Sequence, residues 1–158
     1  GNIRSAVAIA YAISTSDFSG LLEKYKVLSS DEDRNRIIVA MASIRDKSVV
    51  EKMIQLIFNR TIKFQDAYLV VQSLAQNPFV REELCNALEG NFEVVKQFVT
   101  TVTGGPWGLS YIVKGPMVFC GIDRPDETIE FLDKIKSEEI ARAVETAKEY
   151  IKIYNRIK

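Results

Sequence analysis

Histidine is absent from all 158 residues. That removes the commonest general base, the Ser–His and Cys–His nucleophile pairs, and the imidazole ligands on which zinc catalysis normally draws. The other chemistry-bearing groups are few. Cys85 and Cys120 lie 35 positions apart with no C-x-x-C spacing and no histidine to complete a metal site. Both are expected to be free, buried, reduced thiols of a cytosolic protein. Ser110 precedes Lys114 by four positions, which would set a Ser–Lys pair on one helix face, but such pairs arise often by chance. Asp31 with Asp33, and Glu138 with Glu139, are carboxylate pairs at expected helix starts, where the positive end of the helix dipole already accounts for them. Gly104-Gly105-Pro106-Trp107-Gly108 lacks both the G-x-x-x-x-G-K-[ST] spacing and a preceding strand, so it reads as a turn between helices. No catalytic residue, cofactor ligand or metal ligand is assigned.

The elements that must carry these residues are helices. With 47% hydrophobic and 27% charged residues, the chain can bury the core of one domain. Its 21 basic and 21 acidic residues cancel and are interspersed, which leaves no electrostatic footprint for nucleic acid or an anionic membrane. No apolar run approaches the ~20 residues of a membrane span. The N-terminus has no leader pattern, and Gly1 reads as a cut or artificial end.

Apolar spacing is helical nearly throughout, and the reading is all-α with about 9–10 helices. The first covers about Ile3 to Ile13, and its beginning reads as truncated. Ser16 or Asp17 caps a second, carrying Leu21, Leu22, Tyr25 and Leu28. Ser30 ahead of Asp31, Glu32 and Asp33 starts a third, running to about Ile44. A fourth follows with Val49, Val50, Met53, Ile54, Leu56 and Ile57. A fifth spans about Phe64 to Ala75, and a sixth Pro78 to Glu89, with Asn77 as cap and Pro78 in the first position.

Sliding the chain by 31 positions aligns Ile38 with Leu69, Val39 with Val70, Met53 with Leu84 and Ile57 with Leu88. Two helix-corner-helix units in one apolar phase point to antiparallel hairpins stacked as a HEAT- or armadillo-like superhelix. Ile38, Val39, Met53, Ile57, Leu69, Leu84 and Leu88 are expected between layers. Asn91 can cap a seventh helix with Phe92, Val94, Val95, Phe98, Val99 and Val102 apolar. The eighth begins near Trp107 or Leu109 and breaks at Gly115-Pro116. Asp123 to Asp126 opens a ninth with Ile129, Phe131, Leu132 and Ile135. Ser137 caps the last, which turns Ile140, Val144, Ala147, Ile151 and Tyr154 inward.

From Arg34 onward an ordered series of short matches appears. Arg34-Asn35-Arg36-Ile37-Ile38-Val39-Ala40-Met41-Ala42-Ser43-Ile44-Arg45-Asp46 is similar to "R-x-R-x-x-x-A-L-A-S-x-x-D", Ile62 to Asp66 to "I-K-x-Q-D", and Ala75 to Pro78 to "A-x-N-P". Phe92 stands where tryptophan is usual in "E-N-W-D", Thr128 to Leu132 falls near "E-x-x-F-F", and Ala143 to Lys152 resembles the closing "x-L-E-T-I-x-x-N-I-x-W" helix. In that order the segments resemble the C-terminal helical domain of the aminopeptidase N family of gluzincin metallopeptidases. The family includes puromycin-sensitive aminopeptidase, the endoplasmic reticulum aminopeptidases and the archaeal tricorn-interacting factors.

The resemblance implies that residues 1–158 are one all-α C-terminal domain of a larger protein. It implies a non-catalytic part that walls and gates the substrate chamber of a zinc aminopeptidase, whose parent removes N-terminal residues from peptides. The zinc is then expected in a separate catalytic domain, and no cofactor in this part. The expected partners are a peptide substrate and the catalytic domain of the same chain, with neither nucleic acid nor membrane, in the cytoplasm. Ser43, Trp107, Tyr111 and Lys114 are the candidate chamber-lining or peptide-contacting residues. Some relatives place basic side chains at the positions matching Ser43 and Tyr111; neither is basic here. Two alternatives stay open. Trp107 could merely cover the end of a helix pair, and the whole chain could be a free-standing HEAT-like scaffold for a protein partner.

Overall fold

The computed structural model describes residues 2–158, so Gly1, read as a cut end, lies outside the described residues. Helix accounts for 80% of the chain, and the described residues contain eleven helices and no strand, against the nine or ten expected. None of the helices is long and apolar enough to cross a membrane. The chain divides into two compact units, one ending at Val80 and the other beginning at Arg81.

The first unit holds α1 (Asn2–Thr15), α2 (Phe18–Val27), α3 (Asp31–Ala42), α4 (Ser48–Phe58) and α5 (Phe64–Gln76). Two starts follow from side-chain caps. Asp17 accepts from the Gly20 N–H at 3.0 Å, and Ser30 accepts from the Asp33 N–H at 3.4 Å, which satisfies donors that a helix start leaves orphaned. The middle of the unit is α3, which packs on α1, α2, α4 and α5. Its Ile38, Ala40, Met41 and Ala42 are completely buried.

The sixth helix does not start at Pro78. Asn77 turns its amide back to the Ala42 and Ile44 carbonyls at 2.9 and 3.0 Å, tying down the corner after α3, while its Oδ1 accepts from the Phe79 N–H. Residues 78–80 close as a turn instead, and helix resumes at Arg81. The 31-residue repeat is also only partly in phase. Met53, Ile57, Leu84 and Leu88 are buried, but Val39 and Leu69 are half-buried. In burial, Ile37, Met41 and Ala42 of α3 correspond to Val70, Leu74 and Ala75 of α5, a register two residues longer than the letters suggest.

One buried polar knot joins α2, α3 and α5. The Tyr25 hydroxyl donates to Asp66 Oδ2 at 2.7 Å and accepts from the Lys63 N–H at 3.2 Å. Arg34 Nε lies 3.5 Å from the same carboxylate oxygen, too far and too poorly aligned for a hydrogen bond, while its other nitrogens donate to the Ser29 carbonyl at 2.9 Å and to Asp31. Burial, seconded by the Asp66 hydrogen bond and charge, pushes the Tyr25 hydroxyl up to about 12, against the opposing pull of the Lys63 N–H. A group whose folded value is raised gives stability that is whole below its unfolded value, near 10, and lost as pH climbs through its folded value. Stability followed by urea melts should therefore decline between about pH 10 and 12, and Tyr25→Phe should flatten that decline. An identical slope in the variant would assign it to other groups.

The second unit holds α6 (Arg81–Gly90), α7 (Phe92–Thr103), α8 (Trp107–Lys114), α9 (Pro116–Asp123), α10 (Pro125–Ile135) and α11 (Ala141–Ile157). The sequence reading has no counterpart of α9, because Gly115-Pro116 serves there only as a terminator. Proline at the first helical position lacks only an N–H that has no partner in any case, so Pro116 begins a helix as readily as it ends one. This short helix is the hub: α6, α8, α10 and α11 all pack on it. A Cβ on Gly121 would meet Ile151 Cγ1 at 2.4 Å, so the absent side chain lets α11 approach.

The expectation of two free thiols is wrong. Cys85 on α6 and Cys120 on α9 form a disulfide, with an S–S distance of 2.09 Å and Cα atoms 5.9 Å apart. Without α9 as an element, nothing in the sequence brings those positions together. Two further expectations fail at α11. Residues 138–140 form a turn closed by the Ile140 N–H on the Ser137 carbonyl at 3.2 Å, so Ser137 is not the cap. Tyr154 is exposed rather than inward, as is every residue after Ile151.

Candidate functional site

Val99 is the one buried residue of α7, and close approach of α8 explains how it is covered. A Cβ on Gly108 would stand 2.7 Å from Val99 Cγ1, so glycine lets the two helices meet there. The corner between them is short. Gly104 adopts φ 77°, a left-handed conformation that ends α7 without the strain a side chain would bring, and its N–H donates to the Thr100 carbonyl. Thr103 Oγ1 lies 2.7 Å from both the Val99 and the Gly105 carbonyl oxygens and steadies the turn.

Pro106 then hands the chain to α8, whose first residue is Trp107. Leu109 and Val113 face the core at 1% and 0% exposure. Trp107 and Tyr111 point the other way, 58% and 53% exposed. Their rings meet edge to face at a centroid distance of 6.4 Å, and Lys114 Nζ sits 5.8 Å from the Tyr111 ring centroid. A Cβ on Gly105 would come within 3.2 Å of Trp107 Cδ1, so this glycine keeps clear the space that the indole occupies. That role of Gly105 is not readable without the fold.

Three of the four candidate residues thus share one exposed face at i, i+4 and i+7. Ser43 belongs to the unit that ends at Val80, where it closes α3 with its hydroxyl donating to the Val39 carbonyl at 2.7 Å. More than half of the Trp107 surface is open to solvent. The face offers two aromatic surfaces and one ammonium, suited to holding a side chain and a carbonyl or carboxylate oxygen by contact alone. Lys114 turns its ammonium over the Tyr111 ring, which leaves the Ser110 pairing without a positioned base. A zinc ion would find no donor set: the sequence has no histidine, both cysteines are bonded to each other, and no group of three His, Cys, Asp or Glu side chains is arranged for a metal among the described residues.

Comparison with known proteins gives concordant matches. The family described as ERAP1-like C-terminal domain matches residues 1–153. The chain is 65% identical over 157 residues to "Probable aminopeptidase 1" of Sulfurisphaera tokodaii and 54% identical to "Probable aminopeptidase 1" of Saccharolobus solfataricus, in each case over 99% of this chain and 20% of that protein. Identity to "Leucyl aminopeptidase" of Saccharolobus solfataricus is 29%, over 98% of the chain and again 20% of that protein. The chain therefore spans about a fifth of the length of these relatives.

Proposed function

The chain belongs to the ERAP1-like C-terminal domain family, and from that premise we propose that it walls and gates the substrate chamber of a zinc aminopeptidase without performing the chemistry. The zinc and the cleavage of N-terminal residues belong, in this reading, to a catalytic domain of the same polypeptide that lies outside these 158 residues. The partners are then that domain and a peptide in transit through a cytoplasmic enzyme. The single observation that carries the reading is the near-complete match to one fifth of proteins named as aminopeptidases. Those lengths speak against a free-standing scaffold. The exposed row of Trp107, Tyr111 and Lys114 supports contact with the peptide beyond its reacting end, and Ser43 is a further candidate for the chamber wall.

The test uses the whole aminopeptidase. Trp107→Ala or Tyr111→Ala should raise KM for peptides of several residues by roughly three- to tenfold, equivalent to about 0.6 to 1.4 kcal/mol of lost contact. Turnover at saturation should hold steady, because binding shared equally by ground and transition states affects KM and not kcat. A single-residue reporter should respond to neither substitution. Equal effects on long and short substrates, or no effect on either, would assign the row to packing.

A further inference from the structure

Helix α1 is apolar on more sides than its own unit covers. Nine of its fourteen residues are Ala, Val, Ile or Tyr, and it packs on α3, yet only Ala12 is fully buried. Ile3, Val7 and Tyr11 follow one another at four-residue spacing and are 81%, 63% and 45% exposed. They edge a groove of about 670 Å³ between α1, α2 and α3, whose floor includes Leu21, Leu28 and Ile37. A helix that is apolar around its circumference normally sits inside a larger core, and an uncovered patch of this kind marks an interface.

What covers it follows from length and position. The relatives are about five times longer than this chain, and the family is described as a C-terminal domain, so in such proteins most of the polypeptide comes before α1. Helix–helix connections in helical assemblies usually take only 2–8 residues, so a preceding helix is tethered within reach of the first turns of α1, where exposure is greatest. We infer that the segment immediately before α1 in the longer protein folds as an amphipathic helix and lays its apolar stripe against Ile3, Val7 and Tyr11, over the groove. The inference rests on the reading of this chain as the C-terminal part of a longer protein, and on nothing about peptides.

Val7→Cys tests it, since Val7 is already exposed and the disulfide withholds Cys85 and Cys120 from competing reactions. The variant is made in the 158-residue chain and in the longer protein, and labelling of position 7 by a small maleimide is timed by peptide mass spectrometry. Labelling should be at least roughly tenfold slower in the longer protein, where it must await local opening. Equal rates would overturn the inference. So would slow labelling of the 158-residue chain together with a dimer's mass on sizing, because the occupant would then be a second copy. Loss or absence of peptide hydrolysis leaves this readout unaffected, so failure of the proposed function and failure of the docking face are told apart.

Discussion

Arg34→Met should lower the stability of the chain by roughly 3 to 5 kcal/mol, the cost of leaving one partner of a buried ion pair behind. The Arg34 and Asp66 side chains are 4% and 5% exposed, so water cannot take over when the guanidinium goes. Asp66 would keep one hydrogen bond, from Tyr25, and face an apolar thioether in place of a positive charge. For a protein of this size each kcal/mol moves Tm by about 2 to 4 °C, which places the expected fall at about 6 to 20 °C. Calorimetry of Arg34→Met, of Asp66→Leu and of the double variant Arg34→Met/Asp66→Leu separates the charge from the shape. Removal of both charges should recover a substantial part of the loss, because no uncompensated carboxylate remains. A double variant as unstable as the sum of the two single ones would show that the knot acts through packing.

Leu84→Ala should cost roughly 2 to 5 kcal/mol, the range for removing a large side chain from a core that closes only partly over the gap. Leu84 is 0% exposed on α6, beside the half-cystine at Cys85 that holds this helix to α9. The crosslink limits how far α6 can settle into the space, which favours the upper part of that range. Glu82, exposed on the same helix two positions before Leu84, serves as the control: Glu82→Ala should stay within about 0.5 kcal/mol. Chemical denaturation measures both. A Leu84→Ala midpoint equal to that of the unaltered chain would remove Leu84 from the core.

How much of this was legible depended on whether a signal was local. The Asp17 and Ser30 caps, and the core face of α4 formed by Val49, Val50, Met53 and Ile57, depend on neighbours within a turn or two, and each is where the sequence puts it. The spacing of Trp107, Tyr111 and Lys114 was equally local, although their exposure depends on what α8 packs against. Asn77 shows the limit. Its Oδ1 makes the local bond that a cap makes, to the Phe79 N–H, but its amide nitrogen is held by carbonyls more than thirty residues away, a tertiary contact that no local signal carries. Pro116 carries two opposite meanings, terminator and first residue, and only the packing around α9 decides between them. That one ambiguity hid the hub of the second unit, and with the hub went the disulfide, since a crosslink cannot be placed between elements when one of them is unseen.

The bond between Cys85 and Cys120 also turns the stretch between them into a covalent macrocycle, closing over α7, the Gly104 corner and α8. The aromatic row of Trp107 and Tyr111 rides on this ring. A protease that cut at the exposed Gly104 would open the ring without releasing either piece, and the nicked protein would keep its full mass until a reductant was added. Integrity of the backbone and integrity of the molecule are therefore separate properties here, and gels run without reductant would report only the second.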